Sequence, residues 1–104
     1  MNYLKQIHGF CLRRKLEPLS ASAIALYYVL LKIFNSVGFP LELSLPLGRL
    51  TAECSLGKTA LYRARGELVS HGYISVRKSA TYARSAVYAI LPIEASGIYG
   101  GEGV

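Results

Sequence analysis

The residues best suited to chemistry are cations, and they are concentrated in the second half of the chain. Residues 55–91 hold six Lys and Arg side chains against Glu67 alone, a charge of +5, while the whole 104-residue chain carries +6. Such a surface attracts the phosphates of a nucleic acid regardless of base sequence. The candidate DNA-contacting residues are Lys58, Thr59, Tyr62, Arg63, Arg65, Arg77, Lys78 and Arg84.

A predicted helix over residues 58–71 positions the first five of these side chains. At about 100° per residue, its core side holds Leu61, Ala64, Leu68 and, at the edge, Val69, and its outer side holds Thr59, Tyr62, Arg63, Gly66 and Ser70. The outer side is typical of a recognition helix in the major groove, with Arg63 reading guanine and Tyr62 and Thr59 on phosphates or base edges. We expect Arg65, near the core boundary, to reach a phosphate or Glu53. The alternative is an ordinary solvated helix face.

A predicted hairpin positions the remaining three cations. Its strands cover residues 73–77 and 86–91, and its polar tip contains Arg77, Lys78, Tyr82 and Arg84. Three cations and one aromatic ring suit a contact with the DNA backbone or minor groove. The alternative is a soluble loop whose charges protect an exposed sheet edge.

The elements that precede this pair complete the predicted fold. The sequence predicts helices over 2–16, 21–36 (with Ser20 as N-cap) and 47–54, and a strand over 41–45. The order is typical of an α+β, mostly helical winged helix-turn-helix, with a three-helix core, a β-hairpin wing and an extra N-terminal helix. We divide the chain into an N-terminal helical extension (1–18), the winged domain (19–92) and a flexible Gly-rich tail or truncated linker (93–104).

The predicted helix over residues 21–36 is apolar on nearly every side and therefore needs cover on nearly every side. The N-terminal helix or a second subunit could supply it. We therefore expect a homo-oligomer, most simply a dimer, formed through residues 1–36.

Several features argue against an enzyme, a cofactor or a metal site. Asp is absent, and the two histidines, His8 and His71, are far apart in sequence. Gly57-Lys58-Thr59 lacks the earlier glycine of a phosphate-binding loop, because position 52 is Ala.

We expect Cys11 and Cys54 to be reduced and buried. With no secretory leader in residues 1–15 and no apolar run of bilayer length, we expect a cytoplasmic protein.

Several stretches together resemble a known family. They are MNYLKQI (1–7), LSASAIALY (19–27), NSVGFP (35–40), RLTAEC (49–54), KTALYRARGELVSHGYI (58–74) and SAVYAI (85–90). Residues 1–92 look like the N-terminal winged-helix domain of DnaD-like replication proteins, especially the prophage replisome-organiser type. The resemblance implies a module that binds double-stranded DNA, oligomerises and helps to load a helicase or primosome, with replication initiators or helicase loaders as partners.

Two other functions fit the same fold. A transcriptional regulator would bind one palindromic operator tightly, with half-sites about one helical turn apart. A protein-interaction or oligomerisation module would use the same surfaces for assembly, with incidental DNA affinity.

Overall fold

The helices and strands follow one another in the order that the sequence predicts. The computed structural model describes residues 2–93, which form a small, mostly helical α+β fold of four helices and one three-stranded antiparallel sheet with the order β1-β3-β2. The elements are α1 (Tyr3–Leu16), α2 (Ala21–Ser36), β1 (Leu43–Pro46), α3 (Leu47–Cys54), α4 (Lys58–Ser70), β2 (Ile74–Lys78) and β3 (Ser85–Ile90).

Helix α2 forms the centre of the fold. It begins at the predicted N-cap, where Ser20 Oγ accepts a hydrogen bond of 3.1 Å from Ala23 N. It ends at Ser36, and the chain turns away through two residues in left-handed backbone, Gly38 (φ +81°) and Phe39 (φ +54°). The exposed positions of the helix are Ala21, Lys32, Asn35 and Ser36. The rest of this chain therefore covers α2, and its burial does not require a second subunit.

Helix α1 belongs to the same hydrophobic core. Phe10 is fully buried and stacks on Tyr27 of α2, with 4.0 Å between ring centroids. The buried Gln6 side chain donates through Nε2 to Tyr27 Oη (3.0 Å) and to Leu91 O (2.8 Å), and its Oε1 accepts from Ile93 N (3.3 Å). Ile93, the first residue of the predicted tail, is buried, while 94–104 lie outside the described residues.

The strands differ slightly from their predicted bounds. Strand β1 starts two residues after its predicted start at residue 41, because its pairing with β3 begins at Leu43↔Tyr88. Leu41 therefore lies outside the sheet and is 92% exposed. Strand β2 starts at Ile74 because Tyr73 N closes the end of α4 by donating to Leu68 O (3.0 Å). The pairing of β2 with β3 then runs from Ile74↔Ile90 to Lys78↔Ala86.

A turn of three residues joins α3 to α4. Ser55 adopts the left-handed conformation (φ +55°), and Leu56 N donates to Thr51 O at 3.1 Å, so α3 ends abruptly. Gly57 then serves as the N-cap of α4.

No helix within residues 2–93 has both the length and the apolar character needed to cross a membrane.

Candidate nucleic-acid interface

A broad groove of about 1020 Å³ separates α4 from the β2–β3 hairpin, and the start of α3 closes one side of it. We refer to it as the cationic groove. Its lining residues are Leu45, Pro46, Leu47, Gly48, Thr51, Lys58, Tyr62, Arg65, Val76, Arg77, Lys78, Ala83, Arg84, Ser85, Ala86 and Tyr88.

The charges in this groove are all positive. Two cations come from α4 (Lys58 and Arg65) and three from the hairpin (Arg77, Lys78 and Arg84), and the described lining includes no carboxylate. Like charges gathered on one surface repel one another, so the arrangement favours an anionic partner that spans both elements.

Arg77 is the one groove cation that forms an ion pair with a carboxylate among residues 2–93. Its Nη2 and Nε donate to the Glu42 carboxylate at 2.7 and 3.3 Å. The hydrogen bonds from Arg77 lower the pKa of Glu42 below its ordinary value, so Glu42 stays ionised near neutral pH. Because both side chains are exposed, water and salt weaken this pair.

Arg65 is held between two tyrosines rather than by an acid. Its Nη1 donates to Tyr88 Oη at 3.1 Å, and its guanidinium carbon lies 4.8 Å from the Tyr62 ring centroid and 5.9 Å from that of Tyr88. Of the two partners predicted for Arg65, a phosphate or Glu53, the contact with Glu53 is therefore wrong. Glu53 is occupied elsewhere, because Arg49 Nε (2.9 Å) and Lys32 Nζ (3.2 Å) both donate to its carboxylate.

Backbone contacts fix the hairpin relative to α3. Strand β1 pairs with β3 up to Pro46↔Ser85, and Leu47 N, at the start of α3, donates to Arg84 O at 3.1 Å. The backbone that carries Arg84 is thus attached to the start of α3, which closes one side of the groove. This attachment fixes the hairpin at that side of the groove.

Six of the eight predicted contact residues line the cationic groove. The other two, Thr59 and Arg63, are exposed on α4 but do not line it. One residue further along a helix means a rotation of about 100°, so Arg63 lies well around α4 from Tyr62. Val69, expected at the core edge, is instead 44% exposed.

Sequence reasoning missed the contributions of α3 and β3. Gly48 and Thr51 line the groove, and Tyr88 holds Arg65. The alternation of side chains along a strand could have placed Tyr88 on the buried face together with Ile90. No pattern in the sequence of α3 indicated that its first turn lies against the hairpin.

The other chemistry-bearing residues lie outside the groove. Cys11 and Cys54 are free thiols and half-buried, not fully buried as predicted. A hydrogen bond with Tyr28 lowers the pKa of Cys11, whereas burial raises that of Cys54. Within residues 2–93, no group of three or more His, Cys or Glu side chains is arranged to hold a metal ion.

Comparisons of the chain with protein-family models, with curated proteins and with solved structures give no match.

Proposed function

We propose that this chain is a winged helix-turn-helix domain that binds double-stranded DNA through the cationic groove. In this assignment α3 and α4 are the helix-turn-helix, α4 is the recognition helix, and the β2–β3 hairpin is the wing. One observation carries the proposal: five cations from the helix and the hairpin line a single groove that has no carboxylate in its described lining.

The proposed contacts divide by chemistry. Lys58, Lys78 and Arg84 contact phosphates, and Arg65, oriented by Tyr62 and Tyr88, adds a guanidinium to the same groove. Arg63 and Thr59 lie on the outer side of α4, where a recognition helix meets base edges. The groove supplies affinity, and the outer side of α4 supplies any sequence preference.

The biological role that we propose follows the family resemblance. The domain acts without catalysis in a DnaD-like, prophage-type replication initiation or primosome protein of the cytoplasm, with replication initiators or helicase loaders as partners. The proposed dimer contact falls on α1, because α2 is covered within the chain while α1 exposes Leu4 and Leu16.

A salt titration of DNA affinity tests the proposal. Random and origin-derived duplexes of equal length are titrated with the wild-type protein at several salt concentrations, and the same series is repeated with Lys58→Ala and Lys15→Ala. Both variants lose one exposed lysine charge, but only Lys58 lines the groove. We expect log Kd to rise linearly with log salt, and Lys58→Ala to reduce that slope by about one while Lys15→Ala leaves it unchanged.

The result also separates the three functions. A replication module binds both duplexes with similar affinity. A transcriptional regulator would instead bind one palindrome, selected from a pool of random duplexes, at least about a thousandfold more tightly than random duplex. Absent or salt-independent binding would contradict the DNA proposal and favour a protein-interaction module.

A further inference from the structure

The tip of the β2–β3 hairpin presents an aromatic ring on an ordered backbone. Tyr82 is 65% exposed. The Ser79 hydroxyl accepts hydrogen bonds from Thr81 N (3.2 Å) and Tyr82 N (3.1 Å), and Tyr82 O accepts one from Ser85 N (3.1 Å). Backbone on both sides of the ring is thus fixed, so a ligand that covers the ring need not first order the loop.

The surroundings of this ring are cationic. Lys78 and Arg84 flank the tip and line the cationic groove, and the sequence contains no acidic residue between Glu67 and Glu94. An exposed ring next to cations suits a ligand with both a flat π-face and phosphates, which is the chemistry of a nucleotide. An acidic peptide would satisfy the charges but would leave the ring without a planar partner.

Tyr62, the other strongly exposed tyrosine of this region, is less available. It is 44% exposed, and the Arg65 guanidinium lies 4.8 Å from its ring centroid. One face of the Tyr62 ring is therefore occupied within the protein. Tyr82 has no ring or cation–π contact of this kind among residues 2–93.

We propose that Tyr82 stacks on an unpaired base next to the bound duplex, so that the domain favours a junction between double-stranded and single-stranded DNA over a continuous duplex. This inference rests on the proposed DNA-binding function. Stacking tolerates every base, because each base has a π-face, so the preference is for DNA structure and not for sequence.

Stacking on an unpaired base suits the Tyr82 ring better than insertion of the ring between paired bases. Insertion must break base stacking, and proteins that do so use apolar wedges. The neighbours of Tyr82 are Thr81 and Ala83, which offer little apolar surface to fill an opened step. A base that is already unpaired needs no such opening.

Fluorescence tests the contact directly. The chain contains no tryptophan, so Tyr82→Trp introduces a single indole that reports stacking through quenching. The matched control is Leu41→Trp, at a position that is also exposed but lies beyond the other end of the sheet by the β1–β3 register. We expect forked DNA to quench the indole of the Tyr82→Trp variant more strongly than a blunt duplex with equal phosphate number does. Neither DNA should quench the indole of the Leu41→Trp variant.

Affinity measurements complete the test. We expect wild-type protein and Tyr82→Phe to bind the forked DNA about tenfold more tightly than the blunt duplex, and Tyr82→Ala to bind the two DNAs with equal affinity. Equal preference in the wild type and Tyr82→Ala, or equal quenching of the Tyr82→Trp variant by both DNAs, would overturn the inference but leave duplex binding intact. Absence of salt-dependent binding to either DNA would instead overturn the proposed function and the inference with it.

Discussion

Arg65 of α4 and Tyr88 of β3 are joined by a hydrogen bond of 3.1 Å from Nη1 to Oη. This bond links the helix to the sheet inside the cationic groove. A guanidinium has five N–H donors, so Arg65 keeps several for a ligand while its position is fixed. Tyr88 is buried, and its hydroxyl therefore acts as a rigid support for a partly exposed cation.

Removal of the Tyr88 hydroxyl should cost stability, whereas removal of the Tyr73 hydroxyl should not. Tyr73 Oη is buried and has no hydrogen-bond partner among residues 2–93. We expect Tyr88→Phe to lower the free energy of unfolding by about 1 kcal/mol and Tyr73→Phe to leave it unchanged or raise it slightly. Urea denaturation of the two variants measures both effects. An equal loss of unfolding free energy in Tyr88→Phe and Tyr73→Phe would contradict a stabilising role for the hydrogen bond from Arg65 to Tyr88.

Ser20 and Glu67 give the fold a defined sensitivity to acid. Ser20 N and Oγ donate to the two Glu67 carboxylate oxygens at 2.7 Å each, next to the positive end of α2. The hydrogen bonds from Ser20 lower the pKa of Glu67 below its ordinary value. This stabilisation is therefore fully present above the unfolded-state pKa of about 4.3 and is lost as pH falls through the lower folded-state pKa.

We expect Glu67→Gln to reduce stability at pH 7 and to flatten its decline between about pH 5 and pH 3. Urea denaturation at several pH values measures this. Glu42→Gln is the comparison: the pKa of Glu42 is also lowered, by Arg77, but that pair is exposed, so this change should flatten the decline less. A Glu67→Gln protein that loses stability on acidification as steeply as the wild type would contradict the prediction.

Element order could be predicted from the sequence because local signals mark it. Ser20 begins α2 as its cap, and Gly57 ends the turn that precedes α4. The partners of Arg65 could not be predicted, because only the complete fold brings Tyr88 of β3 next to Arg65, while Glu53 pairs with Arg49. Long-range pairing also fixed the start of β1 at Leu43, which local alternation placed two residues earlier.

Gln6 should be essential for holding the segment after β3 against α1. Its Nε2 donates a hydrogen bond to Leu91 O (2.8 Å), and its Oε1 accepts one from Ile93 N (3.3 Å). Gln6→Leu keeps the volume but leaves these two backbone groups without their partner, which costs about 1–3 kcal/mol for a buried group. Hydrogen exchange should show a protected Ile93 amide in the wild type and faster exchange in the variant. Unchanged protection would mean that another contact holds the segment.

Arg63 and Arg65 should affect DNA binding in different ways. Arg63 is exposed outside the groove, and Arg65 lines it. If Arg63 reads a base, we expect Arg63→Ala to weaken binding to the preferred sequence by about 1–3 kcal/mol and to reduce discrimination between sequences. Arg65→Ala should weaken binding to all duplexes alike. Competition titrations at one salt concentration measure both, and an Arg63→Ala protein with parental affinity and selectivity would remove Arg63 from the interface.

Glu42 should weaken DNA binding, because among residues 2–93 it is the carboxylate that forms an ion pair with a cation of the groove, Arg77. Its hydrogen bonds to Arg77 must be broken or shared when a phosphate approaches. We expect Glu42→Gln to tighten duplex binding about two- to tenfold at low salt and to steepen the salt dependence, because one more cation is free to displace counterions.

Glu53→Gln is the matched control for this change. It removes the same charge, but Glu53 pairs with Lys32 and Arg49, neither of which lines the groove. If affinity depended only on net charge, both substitutions would tighten binding equally. A gain confined to Glu42→Gln would instead assign the effect to Arg77, and fluorescence anisotropy at two salt concentrations distinguishes the two outcomes.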